Sequence, residues 1–247
     1  MKKVLIVGGA KGIGLSIAHT LAKRDDTDTI YILDKSPILH LNLHPKFKPQ
    51  IFDLENSDYS IFNAYDNINT LIITAGFGKL GLFSDLDEKY IKSSFNVNTI
   101  APIRIVRKFY DKINSQKDFY CGIMVSIAGF MSSPFFSVYA ATKAALRIFI
   151  ESVNVELEKS NTTNRILNVS PGSIKGTSFN NGETDLSLTE TLSAQIIEHL
   201  FSKNDLFIPE YNKTYKEVLE RYNKDFREEG RHSYDYKIAS KRVIIDK

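Results

Sequence analysis

The chain has 247 residues, 43% hydrophobic and 25% charged, the composition of an ordinary globular protein with enough apolar material for a sizeable core. A net charge of +3 from 32 basic and 29 acidic side chains offers no strongly basic face, so nucleic acid is not an expected partner. One cysteine, Cys121, rules out an intrachain disulfide and a cysteine zinc cluster, and the five histidines show no ligand spacing, so no metal is expected and a reducing cytoplasm fits.

The apolar run after Met1-Lys2-Lys3 is too short for a signal peptide, and no stretch approaches the ~20 apolar residues that span a bilayer. Lys2 to Val7 reads instead as a strand buried on both faces. GGAKGIG follows, and Ile13, Ile17, Ala18, Leu21 and Ala22 then share one helical face. Strand, glycine turn and helix N-terminus together make a pyrophosphate site, in which Gly8, Lys11, Gly12, Ile13 and Gly14 approach the cofactor. Asp34 ends a second strand, Thr29 to Leu33, twenty residues past Gly14. A carboxylate there accepts hydrogen bonds from ribose hydroxyls and repels a 2′-phosphate, which favours NAD; Lys11 and Lys35 keep NADP open.

HLNLHPKFKPQ breaks the helical pattern and leads into a third strand, Phe47 to Phe52, closed by Asp53. A short helical segment from Ser57 to Tyr65, a strand from Thr70 to Thr74 and the turn Ala75-Gly76-Phe77-Gly78 come next. Asp87 to Tyr110 reads as one helix with Asn98 in its middle, where an inward-facing asparagine needs hydrogen-bond partners and can hold a water.

The strand Gly122 to Val125 delivers Ser126, followed by a loop with Phe130, Met131, Phe135 and Phe136 that either lines a substrate pocket or packs in the core. A helix from Tyr139 to Glu158 places Lys143 four residues past Tyr139, on the same face and close enough for the ammonium to act on the phenol. Arg165 to Val169 is a sixth strand, and PGSIKGTSF after it is a turn. Asn180 to Ser187 reads as a mobile lid, Leu188 to Phe201 as a helix and Leu206 to Ile208 as a last strand. Alternating βα units predict a doubly wound, Rossmann-type parallel sheet of about seven strands in a three-layer αβα domain over residues 1–209. From Glu210 to the C-terminus, Tyr211, Tyr215, Val218, Leu219, Tyr222 and Phe226 form an apolar stripe between charges. It predicts an amphipathic helix that packs on the same domain, covers the active site or binds a neighbouring subunit.

GGAKGIG, TAG, VNT, SIAG and YAATK in this order, followed by Pro171-Gly172, resemble the short-chain dehydrogenase/reductase family in its compact form. The resemblance covers Met1 to about Pro209. It implies a catalytic tetrad of Asn98, Ser126, Tyr139 and Lys143. In that tetrad Lys143, helped by the positively charged nicotinamide ring, lowers the Tyr139 pKa, Ser126 orients the substrate oxygen, and Asn98 fixes a water that links Lys143 to solvent. It implies cofactor contacts from the glycine loop, Asp34, Asp53, the Leu54 backbone, Ala75, Gly76, Tyr139, Lys143, Pro171, Gly172, Ile174 and Thr177. A homodimer or homotetramer is also implied, built on the two long helices. Val7 and Ile73-Thr74 depart from the family pattern, which predicts a looser turn network, and Thr177 is displaced by one position.

The function expected is NAD(P)-dependent hydride transfer between the nicotinamide and a small secondary alcohol or ketone. The alternatives are a sugar-nucleotide epimerase or dehydratase, disfavoured by the GxxxGxG spacing, and a non-catalytic NAD(P) sensor or scaffold.

Overall fold

The apolar runs form β1 (Lys2–Val7), β2 (Thr27–Asp34), β3 (Phe47–Ile51), β4 (Thr70–Ile73), β5 (Tyr120–Met124), β6 (Ile166–Val169) and β7 (Leu206–Phe207) in a computed structural model that describes residues 1–177, 179 and 183–243. They pair in parallel in the order β3-β2-β1-β4-β5-β6-β7. Parallel pairing needs crossovers, which the helices supply.

Successive β1 side chains enter opposite cores, which is why the run is apolar without alternation. Leu5 and Val7 pack with Leu71, Ile73 and Cys121 against α3 (Ala101–Ile113) and α4 (Ser137–Lys159). Val4 and Ile6 pack with Ile30, Ile32 and Ile72 against α1 (Gly12–Ala22) and α5 (Leu186–Phe201). Leu5 and Ile6 are fully buried, and truncating either to alanine costs about 2–5 kcal/mol. The chain moves outward from β1 to β3, then returns to β1's other side as β4. That reversal opens a crevice at the carboxyl ends of β1 and β4, where every candidate motif converges.

Three expectations differ from the observed elements. The helix expected over Asp87 to Tyr110 forms as α2 (Glu88–Phe95), a π turn (Asn96–Ile100) and α3. The extra residue in that turn lets Asn98 face inward, fully buried, where Oδ1 accepts from the Phe77 N–H at 3.0 Å. Its Nδ2 donates to the Phe77 carbonyl at 2.8 Å and to Thr142 Oγ1 at 3.1 Å. Both Nδ2 protons and one lone pair of Oδ1 are therefore used by protein partners.

The tail is a π turn (Tyr211–Tyr215) and two helices, α6 (Lys216–Lys224) and α7 (Phe226–Ala239), in place of one. Asp225 separates them: its backbone is extended and its carboxylate caps the N–H groups of Arg227 at 2.9 Å and Glu228 at 3.2 Å. In the segment expected as a lid, Asn180 to Gly182 lie outside the described residues. Leu186 and Ser187 open α5, capped by Asp185 through the Ser187 N–H at 3.0 Å. Among the described residues no helix is long and apolar enough to cross a membrane.

Candidate active site

The crevice floor begins where β1 runs into Gly8. With φ of +92° and an ideal Cβ only 2.3 Å from the Ala75 backbone nitrogen, Gly8 admits no side chain. A Cβ on Gly14 would lie 2.3 Å from the Gly8 carbonyl oxygen, so α1 packs on the turn at backbone distance. The Thr74 hydroxyl donates to that carbonyl at 2.8 Å. The turn that Val7 and Ile73-Thr74 were expected to loosen is thus tied down by Thr74 itself.

Lys11, exposed at the N-cap of α1, gives no side-chain cap. The helix therefore presents its first N–H groups and positive dipole end to an anion. Gly12 N–H donates to Thr184 Oγ1 at 3.0 Å, and Thr177 packs beside Gly12 with its own hydroxyl donating to the Ile174 carbonyl at 3.0 Å. Ile13 and Ile174 are partly buried against the α1 core.

Asp34 Oδ2 accepts from the Ala10 N–H at 3.0 Å and Oδ1 from the Ser36 N–H at 2.9 Å. The acid therefore braces the glycine loop and keeps acceptor capacity for further donors. Asp53 accepts from the Glu55 N–H at 3.0 Å and from Asn56 Nδ2 at 2.8 Å, and these bonds hold its carboxyl below the usual range. The Leu54 carbonyl accepts from the Tyr59 hydroxyl at 2.8 Å. A helix N-terminus whose own N-cap residue supplies no side-chain bond, a turn that accepts only glycine and an acid at the end of β2 fit a dinucleotide pyrophosphate and its adenosine ribose.

On the other side of β4, β5 delivers Ser126. Its hydroxyl accepts from the Ala128 N–H at 3.1 Å and donates to the Pro171 carbonyl at 3.5 Å, and it acts on the Tyr139 phenol against the upward pull of burial. Helix α4 starts at Ser137, so Tyr139 and Lys143 occupy successive turns of one face, as their spacing predicts. Gly76 leaves room above them: a Cβ there would stand 3.2 Å from Asn98 Oδ1 and 3.3 Å from Lys143 Nζ.

Burial dominates the electrostatics of the pair. Lys143 Nζ is 5.8 Å from the Tyr139 ring centroid and donates to the Met124 carbonyl at 2.9 Å. Burial lowers Lys143 to about 7, and burial raises Tyr139 to about 12, partly opposed by the Ser126 hydrogen bond and reinforced by Tyr90. Desolvation disfavours the charged form of each, and the Lys143 Nζ hydrogen bond goes to a carbonyl.

Phe136, one of the loop aromatics offered by the sequence as a pocket wall, encloses Tyr139 together with Phe179, Gly78 and Tyr90, which the sequence did not single out. The Tyr139 ring centroid lies 5.3 Å from that of Phe136 and 5.2 Å from that of Phe179. A Cβ on Gly78 would meet the Tyr139 ring at 2.9 Å and Phe179 at 3.0 Å. Tyr90, whose hydroxyl accepts from the Lys79 N–H at 2.8 Å, packs on Phe77 at 5.9 Å. Tyr215 of the tail was read only as part of an apolar stripe, yet its hydroxyl oxygen lies 1.7 Å from where a Cβ on Gly172 would stand. Of the loop aromatics, Phe136 faces Tyr139, Phe135 is buried and Phe130 lies under the Arg147 guanidinium at 4.7 Å. An open groove of about 780 Å³ lies behind this loop, between Ala128–Pro134, α4 and α6; neither Ser126 nor Tyr139 lines it.

The short chain dehydrogenase family model matches residues 2–186. The chain belongs to that family of oxidoreductases. An uncharacterized oxidoreductase of Saccharomyces cerevisiae is 29% identical over 71% of this chain, and the match spans 56% of that relative's length. Sepiapterin reductase of Chlorobaculum tepidum is 24% identical over 70% of this chain and 78% of its own. Among solved structures, a short-chain dehydrogenase from Streptomyces avermitilis superposes with a TM-score of 0.75 at 18% identity, covering 96% of this chain and 100% of that one. A short-chain dehydrogenase from Sphingobium yanoikuyae in complex with NADPH gives 0.73 at 18% identity, over 91% and 96% of the two chains. The doubly wound sheet of this family member is the sheet of those structures.

Proposed function

We propose that this short-chain dehydrogenase transfers hydride between a nicotinamide dinucleotide and a secondary alcohol or its ketone, with Tyr139 as general acid and base. The observation that carries the reading is the approach of Ser126, at the end of β5, to Tyr139 and Lys143 on successive turns of α4, beside the crevice at β1 and β4. The bound dinucleotide supplies the hydride for reduction and accepts it in oxidation.

The protein's part is binding, orientation and proton transfer. The α1 N-terminus holds the pyrophosphate, Asp34 the adenosine ribose, and Asp53 with the Leu54 backbone the adenine edge. Ala75, Gly76, Pro171, Gly172 and Ile174 border the nicotinamide half, and Thr177 lies over the glycine loop. Ser126 donates to the ketone oxygen while Tyr139 delivers its proton to the same atom as the carbon gains hydride. Burial keeps that proton on the phenol through neutral pH, which prepares the free enzyme for reduction. Lys143, buried and with its pKa lowered to about 7, lies beside the crevice floor at Gly76, where it would meet the nicotinamide ribose hydroxyls and, in its protonated form, return a proton to Tyr139 through them.

NAD is the preferred cofactor in this reading, because a carboxylate at position 34 repels a 2′-phosphate. Exposed Lys11 and Lys35, and relatives of this fold solved with NADP or NADPH, make NADP the competing choice. Assembly into a homodimer or homotetramer through α3 and α4 belongs to the same reading, supported by exposed Ile148 and Val155 on α4. A panel of ketones and alcohols assayed separately with NADH and NADPH, and with their oxidised forms, tests the assignment. Turnover with NADH ahead of NADPH is expected; a panel without any turnover overturns it, and strong NADPH preference overturns the role given to Asp34.

A further inference from the structure

The family match ends at residue 186, and α6 and α7 lie beyond it. Helix α7 nevertheless grips the loop that faces Tyr139. Phe135 has φ of +65°, a left-handed conformation that bulky side chains avoid. Its ring is buried and stacks on Tyr234 of α7, centroids 4.5 Å apart and planes at 28°. Its carbonyl accepts from the Gly81 N–H at 3.0 Å. Lys237, also on α7 and 7% exposed, donates to Ser133 Oγ at 2.9 Å and to the Pro134 carbonyl at 2.7 Å. Gly230 lets α7 approach closely, since a Cβ there would stand 3.3 Å from Ser132 Oγ.

The consequence lies one residue further on. While Phe135 is held against α7, Phe136 lies against Tyr139 at 5.3 Å and near Phe179 at 6.3 Å. Strained backbone persists only where its surroundings over-determine it, and here the determinant is the tail. The Lys237 ammonium is spent on the loop, so the wall next to Tyr139 is an aromatic surface.

We infer that Tyr234 and Lys237 are positioning residues through which the C-terminal helix sets Phe136 as a wall of the substrate cleft, selecting uncharged ketones that carry a flat, aromatic substituent. This rests on the reading of Tyr139 as the catalytic acid. An aromatic substituent packs edge-on or offset against Phe136 with a gain that a small alkyl group lacks.

Two measurements test it. The chain contains no tryptophan, so Phe136→Trp places a single fluorescent reporter at the wall. In that background Tyr234→Ala should raise acrylamide quenching severalfold while Tyr234→Phe, which keeps the stack, leaves it at the starting level. Unchanged quenching in Tyr234→Ala overturns the proposal. In the second measurement, acetophenone and acetone are compared as substrates. Tyr234→Ala and Lys237→Met should raise KM for acetophenone about fivefold to tenfold with kcat within about twofold. KM for acetone and Kd for NADH should stay unchanged, and Tyr234→Phe should restore the aryl preference. An equal loss on both ketones and on cofactor binding marks a merely structural role and overturns it. If the unmodified enzyme turns over neither ketone, the preference for aryl ketones falls, and the quenching arm still decides whether α7 positions Phe136.

Discussion

Lys143 Nζ lies over the Tyr139 ring, 5.8 Å from its centroid, but its hydrogen bond goes to the Met124 carbonyl. Each is shifted toward its neutral form, the tyrosine up to about 12 and the lysine down to about 7. A phenol that stays protonated at neutral pH is a proton donor, not a preformed base. Alcohol oxidation needs the phenolate, whose population grows with pH below the tyrosine pKa. For the free enzyme, kcat/KM for oxidation should therefore climb about tenfold per unit between about pH 8 and 10. Reduction should show no such climb, and matched pH profiles in the two directions check this.

Lys143 also links stability to pH. Its folded value is about 7 against an ordinary 10.5, so between these the unfolded chain carries a proton that the folded chain lacks. Stability from this group rises as pH climbs through that window, and the penalty of burying the charge is complete below it. Lys143→Met should be more stable than the native protein near pH 6, with the difference shrinking toward pH 10. Urea unfolding at several pH values measures it.

Thr184 satisfies the Gly12 N–H at the anion end of α1. A phosphate oxygen would have to displace that hydroxyl, so Thr184→Val should tighten cofactor binding by a factor of a few, the worth of one neutral hydrogen bond. Titration of NADH fluorescence gives the Kd.

Asn98 holds both polar groups of the Phe77 backbone. Asn98→Ala leaves a buried donor and acceptor unpaired and should cost about 2–4 kcal/mol in denaturant unfolding. Gly78→Ala needs no such bond to fail: its Cβ would press on the Tyr139 ring at 2.9 Å, lowering kcat more than it raises KM.

The sheet and cradle were legible because their signals are local. Val4 to Val7 is apolar at every position only if both faces are buried, and Gly8 and Gly14 stand where backbone meets backbone. Ser126, Tyr139 and Lys143 were legible through spacing. What escaped was set by distant partners. Thr74 repairs the turn from sixty-six residues away, through its bond to Gly8. The π turn that faces Asn98 inward has no composition of its own. Phe136 differs from Phe135 in role only because Tyr234, nearly a hundred residues on, takes one ring and leaves the other to Tyr139. The pKa shifts escaped too, since burial of Lys143 is a property of the packed crevice.

The proposed reaction turns on the proton of Tyr139. Tyr139→Phe removes the hydroxyl and keeps the ring that packs on Phe136, so the decisive measurement is its steady-state turnover beside its Kd for NADH. A fall in kcat of about a hundredfold or more with cofactor affinity unchanged is predicted; turnover near the native rate with the same Kd would contradict it.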